Sequence, residues 1–118
     1  MNAEEMKKRT RAFALRIIRL VESLPKTRTA EVIGKQLLRC GTSVGANYRA
    51  ACRAKSPADF IAKIGIVEEE ADETIYWIEL LIESEQINNE RVNGLLEEAN
   101  QIVAIVVSSI NTARGRSR

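Results

Sequence analysis

The sequence predicts an all-α protein, an antiparallel four-helix bundle with up-down-up-down topology, as a single domain over residues 1–118. Apolar residues recur at three- and four-residue spacing over long stretches, as on the buried face of a helix. Turn formers are few, with two prolines and six glycines. Aromatic residues, which are enriched in strands, make up only 4%. Short connections between long helices make sequence neighbours antiparallel.

The first helix is expected over about 3–24 and the second over about 30–53, each with an apolar stripe at helical spacing. Leu24-Pro25 closes the first helix, because the residue before a proline is pushed away from the α region. Thr29 is expected to cap the second helix, since a threonine side chain accepts a hydrogen bond from the first helical turn.

Three glycines lie within the second helix, at Gly34, Gly41 and Gly45. Each costs about 1 kcal/mol relative to alanine in a helix, so their presence needs a reason. One explanation is the close approach of a neighbouring helix. The other is backbone room for a ligand.

The clearest local signal in the chain starts the third helix, expected over 57–83. Ser56 is a favourable N-cap, Pro57 occupies the first helical position, and Asp59 places an acid in the first turn. These three residues together define where this helix begins.

The fourth helix is expected over about 89–112, capped by Asn88, and is followed by a polar tail at 113–118. The third and fourth helices carry more apolar residues than a bundle core requires: Tyr76, Trp77, Leu80, Ile82, Ile105 and Val107. A small monomer seldom leaves that much apolar surface in water, so self-association is expected.

The residue types that carry most enzyme and metal chemistry are scarce. There is no histidine, which removes the commonest general base and metal ligand. Cys40 and Cys52 are expected to be small buried apolar groups in a reducing cytosol. The acidic run 68–73 is expected to form a solvated or salt-bridged face, because consecutive residues point around a helix. The sequence therefore predicts no catalytic residue, no metal and no cofactor.

The expected location is the cytoplasm, without membrane contact. No apolar run approaches the roughly 20 residues that a membrane span needs. Residues 1–11 are charged and lack the apolar core of a signal peptide.

Charge is unevenly distributed along the chain. Residues 1–55 contain thirteen Lys/Arg and four Asp/Glu. Residues 56–100 contain two Lys/Arg and twelve Asp/Glu, and residues 101–118 contain three arginines and no acid. Such asymmetry can mark a nucleic-acid-binding surface. It can also serve packing, with the basic first and second helices pairing along their seams with the acidic third.

The middle of the chain resembles a known family through QLLR at 36–39, TSVGAN at 42–47 and RAKSPADF at 53–60. It is similar to the bacterial four-helix bundles encoded in intervening sequences of 23S ribosomal RNA genes. That family includes the accessory variability protein of diversity-generating retroelements. The resemblance implies an antiparallel bundle, members that assemble as homopentameric rings, and no enzymatic activity. It also implies that the retroelement member binds a reverse transcriptase and nucleic acid through basic surface.

The leading hypothesis is a non-enzymatic homo-oligomer, with a pentamer favoured, that binds RNA or DNA or a nucleic-acid-bound protein such as a reverse transcriptase. The alternative is a purely structural self-assembling module. Basic clusters can contact phosphates without recognising sequence, and one such cluster lies at 7–11. The predicted nucleic-acid-binding residues are Arg39, Arg49, Arg53, Lys55, Arg114, Arg116 and Arg118.

Overall fold

The computed structural model describes residues 1–115 and confirms the all-α class: it places four helices and no strand in that part of the chain. The helices are α1 (Ala3–Glu22), α2 (Arg28–Ala51), α3 (Pro57–Glu83) and α4 (Asn89–Ala113). Arg116 and Arg118 lie outside the described residues.

The helices form a four-cornered bundle in which each is antiparallel to its neighbours. The antiparallel directions show in the residues that meet at each seam. Between α1 and α2, Thr10 meets Gly45 and Val21 meets Gly34. Cys40 meets Thr74 and Thr27 meets Gln86 between α2 and α3, and Arg9 meets Glu98 and Ser23 meets Arg91 between α1 and α4. Helix α1 packs on α2, α2 on α3 and α3 on α4, and a thinner seam joins α1 to α4. Helices α1 and α3 therefore occupy opposite corners, and their Cα atoms stay more than 8 Å apart throughout the described chain.

Side-chain caps fix the start of each helix. Ser56 accepts a hydrogen bond from the Asp59 backbone N–H at 3.0 Å, and Asn88 caps α4 in the same way, so both predicted N-caps are confirmed. The prediction for α2 was wrong, because Thr27 rather than Thr29 accepts from the Ala30 N–H at 3.0 Å. Thr27 holds the extended backbone of a cap, so the helix starts two residues earlier than the sequence indicated.

The helix ends also differ slightly from expectation. Helix α1 stops at Glu22, because the Ser23 and Leu24 N–H groups already form tighter three-residue bonds before the constrained Leu24-Pro25 step. Helix α2 stops at Ala51. Just beyond it, the Arg53 N–H donates a hydrogen bond to the carbonyl of Ala50, three residues earlier. Helix α4 extends to Ala113, so the described part of the tail begins at Arg114.

Every helix contributes large side chains to one continuous core, including Phe13, Ile17, Leu37, Ile64, Ile78, Leu81 and Ile102. Most of the apolar surplus predicted on α3 and α4 packs against this core instead of facing water. Tyr76 is exposed, whereas Trp77, Leu80, Ile82, Ile105 and Val107 are half-buried. The outward apolar surface is spread over three helices, at Leu15, Ile18, Val32, Leu38, Ile66 and Tyr76.

Candidate nucleic-acid interface

The antiparallel arrangement brings distant basic segments to one end of the bundle, where α1 and α3 begin and α2 and α4 end. We call this the basic end and define it by residues 1–13, 45–63 and 104–115. These segments contain nine Lys/Arg against three Asp/Glu. The segments 19–31 and 76–97 at the opposite end contain four Lys/Arg against seven Asp/Glu. The two ends therefore carry opposite net charge.

A groove of about 540 Å³ runs between α1 and α2 at the basic end. Its charged walls are Glu4, Lys7, Lys8 and Arg11 from α1, with Arg49 from α2. Its floor is made of small residues: Thr10, Ala14, Thr42, Gly45 and Ala46. Small floor residues leave the groove unobstructed, so a polyanion lying in it would have cations on both sides.

Three of these cations have no carboxylate partner among residues 1–115. Lys7 forms an ion pair with Glu4 at 3.2 Å, but Lys8, Arg11 and Arg49 form no ion pair with any residue in 1–115. Lys8 and Arg11 were not among the predicted interface residues. The run of cations at 7–11 and the antiparallel register of α1 and α2 were the signals that could have placed them beside Arg49.

The glycines of α2 explain how the two helices come so close. A Cβ at Gly41 would lie 2.7 Å from Ile17 Cγ2, and one at Gly45 would lie 3.2 Å from Thr10 Oγ1. A Cβ at Gly34 would lie 3.1 Å from a methyl of Leu24. Close helix approach is therefore the explanation that the structure supports at all three positions.

The turn between α2 and α3 presents Arg53 and Lys55, both exposed. The Asp59 carboxylate fixes this turn, accepting from the Lys55 backbone N–H at 3.0 Å and from Lys63 Nζ at 2.9 Å. The hydrogen bond from Lys63, followed by that from Lys55, lowers the pKa of Asp59 below its ordinary value. Arg53 has no side-chain partner among the described residues.

Arg114 follows α4 at the same end and is exposed. It lies beside a second groove, between α3 and α4, which it shares with Glu68, Glu69 and Asp72. Because these acids of α3 lie next to Arg114, the positive charge without nearby acids is on α1, α2 and the turn between α2 and α3.

Arg39 stands apart from the other predicted interface residues. It lies midway along α2, where its guanidinium contacts Glu70 at 3.2 Å and also contacts Glu73. The Trp77 indole N–H donates to the same Glu73 carboxylate at 3.0 Å. Arg39 thus connects α2 to α3, as the packing interpretation of the charge asymmetry predicts, and we leave it out of the interface.

A second such ion pair crosses the thin seam between α1 and α4. Arg9 donates to both carboxylate oxygens of Glu98, at 2.6 and 2.8 Å, and to Gln101. The hydrogen bond to Glu98 raises the pKa of Arg9 further above its already high value. Of the basic run at 7–11, Arg9 therefore faces the bundle, and its neighbours Lys8 and Arg11 face outward.

Both cysteines are free, and Cys40 is part of the core. The Thr74 hydroxyl lies 3.3 Å from Cys40 Sγ, and burial raises the pKa of this thiol. At the basic end, burial and a hydrogen bond with Cys52 raise the pKa of Tyr48 to about 12. Tyr48 is half-buried and packs against the core, so part of its ring is covered by protein.

Residues 1–115 contain no cluster of three or more His, Cys, Asp or Glu placed to hold a metal ion. Over the same range, every buried side-chain nitrogen and oxygen has a hydrogen-bond partner. None of the four helices in the described chain has a stretch long and apolar enough to cross a membrane. The surface feature that stands out is the basic end.

The fold and its charged end define the class: a small antiparallel four-helix bundle with one basic end. The chain belongs to the family described as 23S rRNA-intervening sequence protein, which it matches over residues 3–108. It is similar to a solved protein of unknown function from the S23 ribosomal protein family of Bacteroides thetaiotaomicron VPI-5482. The two share 40% identity with a TM-score of 0.87, covering 94% of this chain and 99% of the other. No curated protein sequence gives a significant match.

Proposed function

We propose that this protein is a non-enzymatic, cytoplasmic homo-oligomer that binds the phosphate backbone of RNA or DNA through its basic end. One observation carries the proposal: on α1, α2 and the turn that follows α2, five cations at this end have no carboxylate partner within residues 1–115. They are Lys8, Arg11, Arg49, Arg53 and Lys55. Charges needed only for helix packing would be paired, as Arg9 and Arg39 are.

The size of the basic end suits a polyanion. The bundle measures 24 by 20 Å across. Duplex DNA carries one phosphate charge per about 1.7 Å, so a 20 Å span presents roughly a dozen phosphates. The five free cations can contact several of these at once, and each contact releases condensed counterions.

Binding of this kind carries little sequence information. Contacts to phosphate position a protein on nucleic acid, whereas contacts to base edges or aromatic stacking specify sequence. The aromatic residue at the basic end of α2, Tyr48, is half-buried, and Tyr76 and Trp77 lie toward the opposite end. We therefore expect weak affinity with small differences between sequences.

Self-association would strengthen such weak contacts. Each copy adds another basic end, and binding by several copies at once raises the overall affinity without new contacts. The outward apolar residues on α1, α2 and α3 support self-association, and the family resemblance favours a pentamer.

The test is a salt titration of binding to labelled duplex DNA and to single-stranded RNA, followed by fluorescence anisotropy. The variant replaces Arg49, Arg53 and Lys55 by alanine. Its matched control replaces Lys26, Arg28 and Lys35, three exposed cations toward the opposite end, so both variants lose the same charge. The logarithm of the binding constant falls against the logarithm of salt by about 0.9 per phosphate contact on duplex DNA. The first variant should flatten this slope by up to about 2.7, and the control should leave it unchanged.

Two outcomes would contradict the proposal. The native protein could fail to bind at about 50 mM salt, where such contacts are strong. Alternatively, both variants could weaken binding equally, which would mean that net charge and not the basic end matters. Thermal melts of all three proteins separate binding from stability. A loss of melting temperature in the first variant with unchanged binding would instead favour the structural assembly module.

A further inference from the structure

The two most strongly charged stretches of the bundle lie on helices at opposite corners, α1 and α3. Residues 7–19 of α1 contain six Lys/Arg and no acid, and residues 64–83 of α3 contain seven Asp/Glu and no Lys/Arg. Because α1 and α3 occupy opposite corners, these charges cannot neutralise each other within one chain. The pairing of basic and acidic helices predicted from the sequence holds for α2 with α3, but it does not extend to α1.

Pairing with the intervening helices uses only part of this charge. Arg9 is held by Glu98 of α4, and Glu70 and Glu73 are held by Arg39 of α2. No ion pair within residues 1–115 involves the remaining charges of the two stretches that face solvent: Lys8, Arg11, Arg16, Arg19, Glu69, Asp72, Glu79 and Glu83. Each corner therefore keeps a surplus of one sign.

Apolar side chains lie exposed among these same charges. On α1, Leu15 is 46% exposed and Ile18 is 38% exposed, between Arg11 and Arg19. We call the outward surface formed by Lys8, Arg11, Leu15, Ile18 and Arg19 the α1 face. On α3, Tyr76 is 53% exposed and Ile66 is 41% exposed. We call the outward surface formed by Ile66, Glu69, Tyr76, Leu80 and Glu83 the α3 face.

Leu15 and Ile18 of the α1 face lie at the same height along the bundle as Tyr76 of the α3 face. Ile17 faces Gly41 across the seam between α1 and α2, and the next residue, Cys40, contacts Thr74 across the seam between α2 and α3. Positions 17 and 74 are therefore level, which places Leu15 and Ile18 level with Tyr76. Two copies with parallel axes can thus bring the α1 face of one against the α3 face of the other without sliding along the axis.

We propose that copies of this chain associate head-to-tail, the α1 face of one docking on the α3 face of the next. The proposal rests on the self-association in the proposed function and specifies which surfaces make it. The exposed apolar residues supply the buried area, and the opposite charges around them set the orientation and exclude contacts between like faces. The long side of the bundle, 45 by 24 Å, is large enough for the about 800 Å² per partner that stable interfaces bury.

A head-to-tail contact between opposite corners leaves one free face on each end of a growing assembly. Such contacts close into a ring when the rotation that relates one copy to the next is a whole fraction of 360°. Because the axes are parallel, every basic end points to the same side of the ring. The assembly would thus place Arg49, Arg53 and Lys55 of all copies, which lie on neither face, on one surface.

The test uses two variants that each spoil one face. Leu15→Glu places an acid opposite the acidic α3 face, and Tyr76→Arg places a cation opposite the basic α1 face. Val32→Glu is the matched control, since Val32 is 59% exposed and lies on neither face. Light scattering after size exclusion should give the native mass for the control and the 13.2 kDa single-chain mass for each of the other two.

Mixing the two single-chain variants provides the decisive measurement. Each retains the face that the other lacks, so an equimolar mixture should recover a mass of at least two chains. A contact between like faces predicts no recovery on mixing. Either no recovery or an unchanged mass for Leu15→Glu alone would overturn the head-to-tail interface. Circular dichroism melts check folding, and Arg19→Glu, fully on the surface, replaces Leu15→Glu if that variant melts early.

The outcomes separate this interface from the proposed function. A native protein that is oligomeric but insensitive to these variants would overturn only the assigned faces. A native mass of 13.2 kDa at micromolar concentration would overturn self-association itself. The salt titration depends on Arg49, Arg53 and Lys55, which lie on neither face, so nucleic-acid binding is judged independently.

Discussion

The first helical pair, α1 with α2, and the second, α3 with α4, solve the same packing problem differently. The first pair brings its helices together over glycines, so closely that a Cβ at Gly41 would overlap Ile17. In the second pair Gly65 faces open space, with no neighbouring atom within 4 Å of a Cβ built there, and it lines the groove between α3 and α4 together with Val103 and Val107. A glycine inside a helix therefore reports close packing in one pair and nothing about packing in the other.

The sharpest test of this difference is the pair of substitutions Gly41→Ala and Gly65→Ala. At Gly41 the added methyl meets the fully buried Ile17, and overpacking of this kind costs about 1–3 kcal/mol, which exceeds the helix-propensity gain of about 1 kcal/mol. At Gly65 only the gain applies. Urea unfolding should show a loss of stability for the first variant and an increase for the second. Equal gains would show that the first pair is not closely packed.

The turn within the second pair contains a correctable strain. Glu85 follows α3 with φ of 62°, and the Gln86 N–H donates to the Leu81 carbonyl at 2.9 Å, the pattern that ends a helix with a left-handed residue. Glycine adopts this conformation without a Cβ penalty. Glu85→Gly should therefore stabilise the protein by up to about 1 kcal/mol. Its control, Glu79→Gly at an exposed position inside α3, should destabilise it by a similar amount in the same unfolding measurement.

The two ion pairs that join the helical pairs should differ in strength. Arg9 and Glu98 are about one-fifth exposed and share two hydrogen bonds, whereas the Arg39 side chain is 47% exposed. Arg9→Ala should cost about 1 kcal/mol, near the upper limit for partly exposed pairs, and Arg39→Ala should cost less. The comparison is made by thermal melts at low and high salt, because screening weakens both pairs. An equal cost would mean that the lower exposure and the two hydrogen bonds of the Arg9 pair do not make it stronger than the Arg39 pair.

The smallest expected effect concerns pH and the turn that joins the two pairs. The lowered pKa of Asp59 means that its carboxylate stabilises the folded protein above about pH 3.9, its ordinary value. That contribution is lost as the pH falls through the lower pKa of the folded state. Asp59→Asn should reduce stability at neutral pH, and the difference from the native protein should shrink on acidification. A pH-independent difference in urea midpoint would show that capping, and not charge, is what Asp59 supplies.

The fold was largely accessible from the sequence, because local signals and apolar periodicity act over short distances. Ser56 and Pro57 marked the start of α3 correctly. The start of α2 was misplaced because Thr27 and Thr29 are both competent caps, and only the backbone conformation distinguishes them. Apolar periodicity likewise did not show that Trp77 and Leu80 would be half-buried.

The interface was less accessible, because free and paired cations look alike in a sequence. Arg39 and Arg49 lie on the same helix, yet Arg39 faces the acids of α3 and Arg49 faces a groove beside Lys8 and Arg11. The difference depends on the direction of each side chain around α2 and on which helix occupies the next corner. Neither follows from charge counts along the chain.

The thin seam between α1 and α4 has a consequence for how the chain folds. The other three seams join helices that are consecutive in the sequence, whereas Arg9 and Glu98 meet across 89 positions. Helical proteins in which most contacts join neighbouring segments of the chain fold within microseconds to milliseconds. We expect α1 and α2 to associate first during synthesis, with each later helix docking on the one before it. The final event is then the return of α4 to α1, where a bidentate arginine closes the longest loop in the molecule.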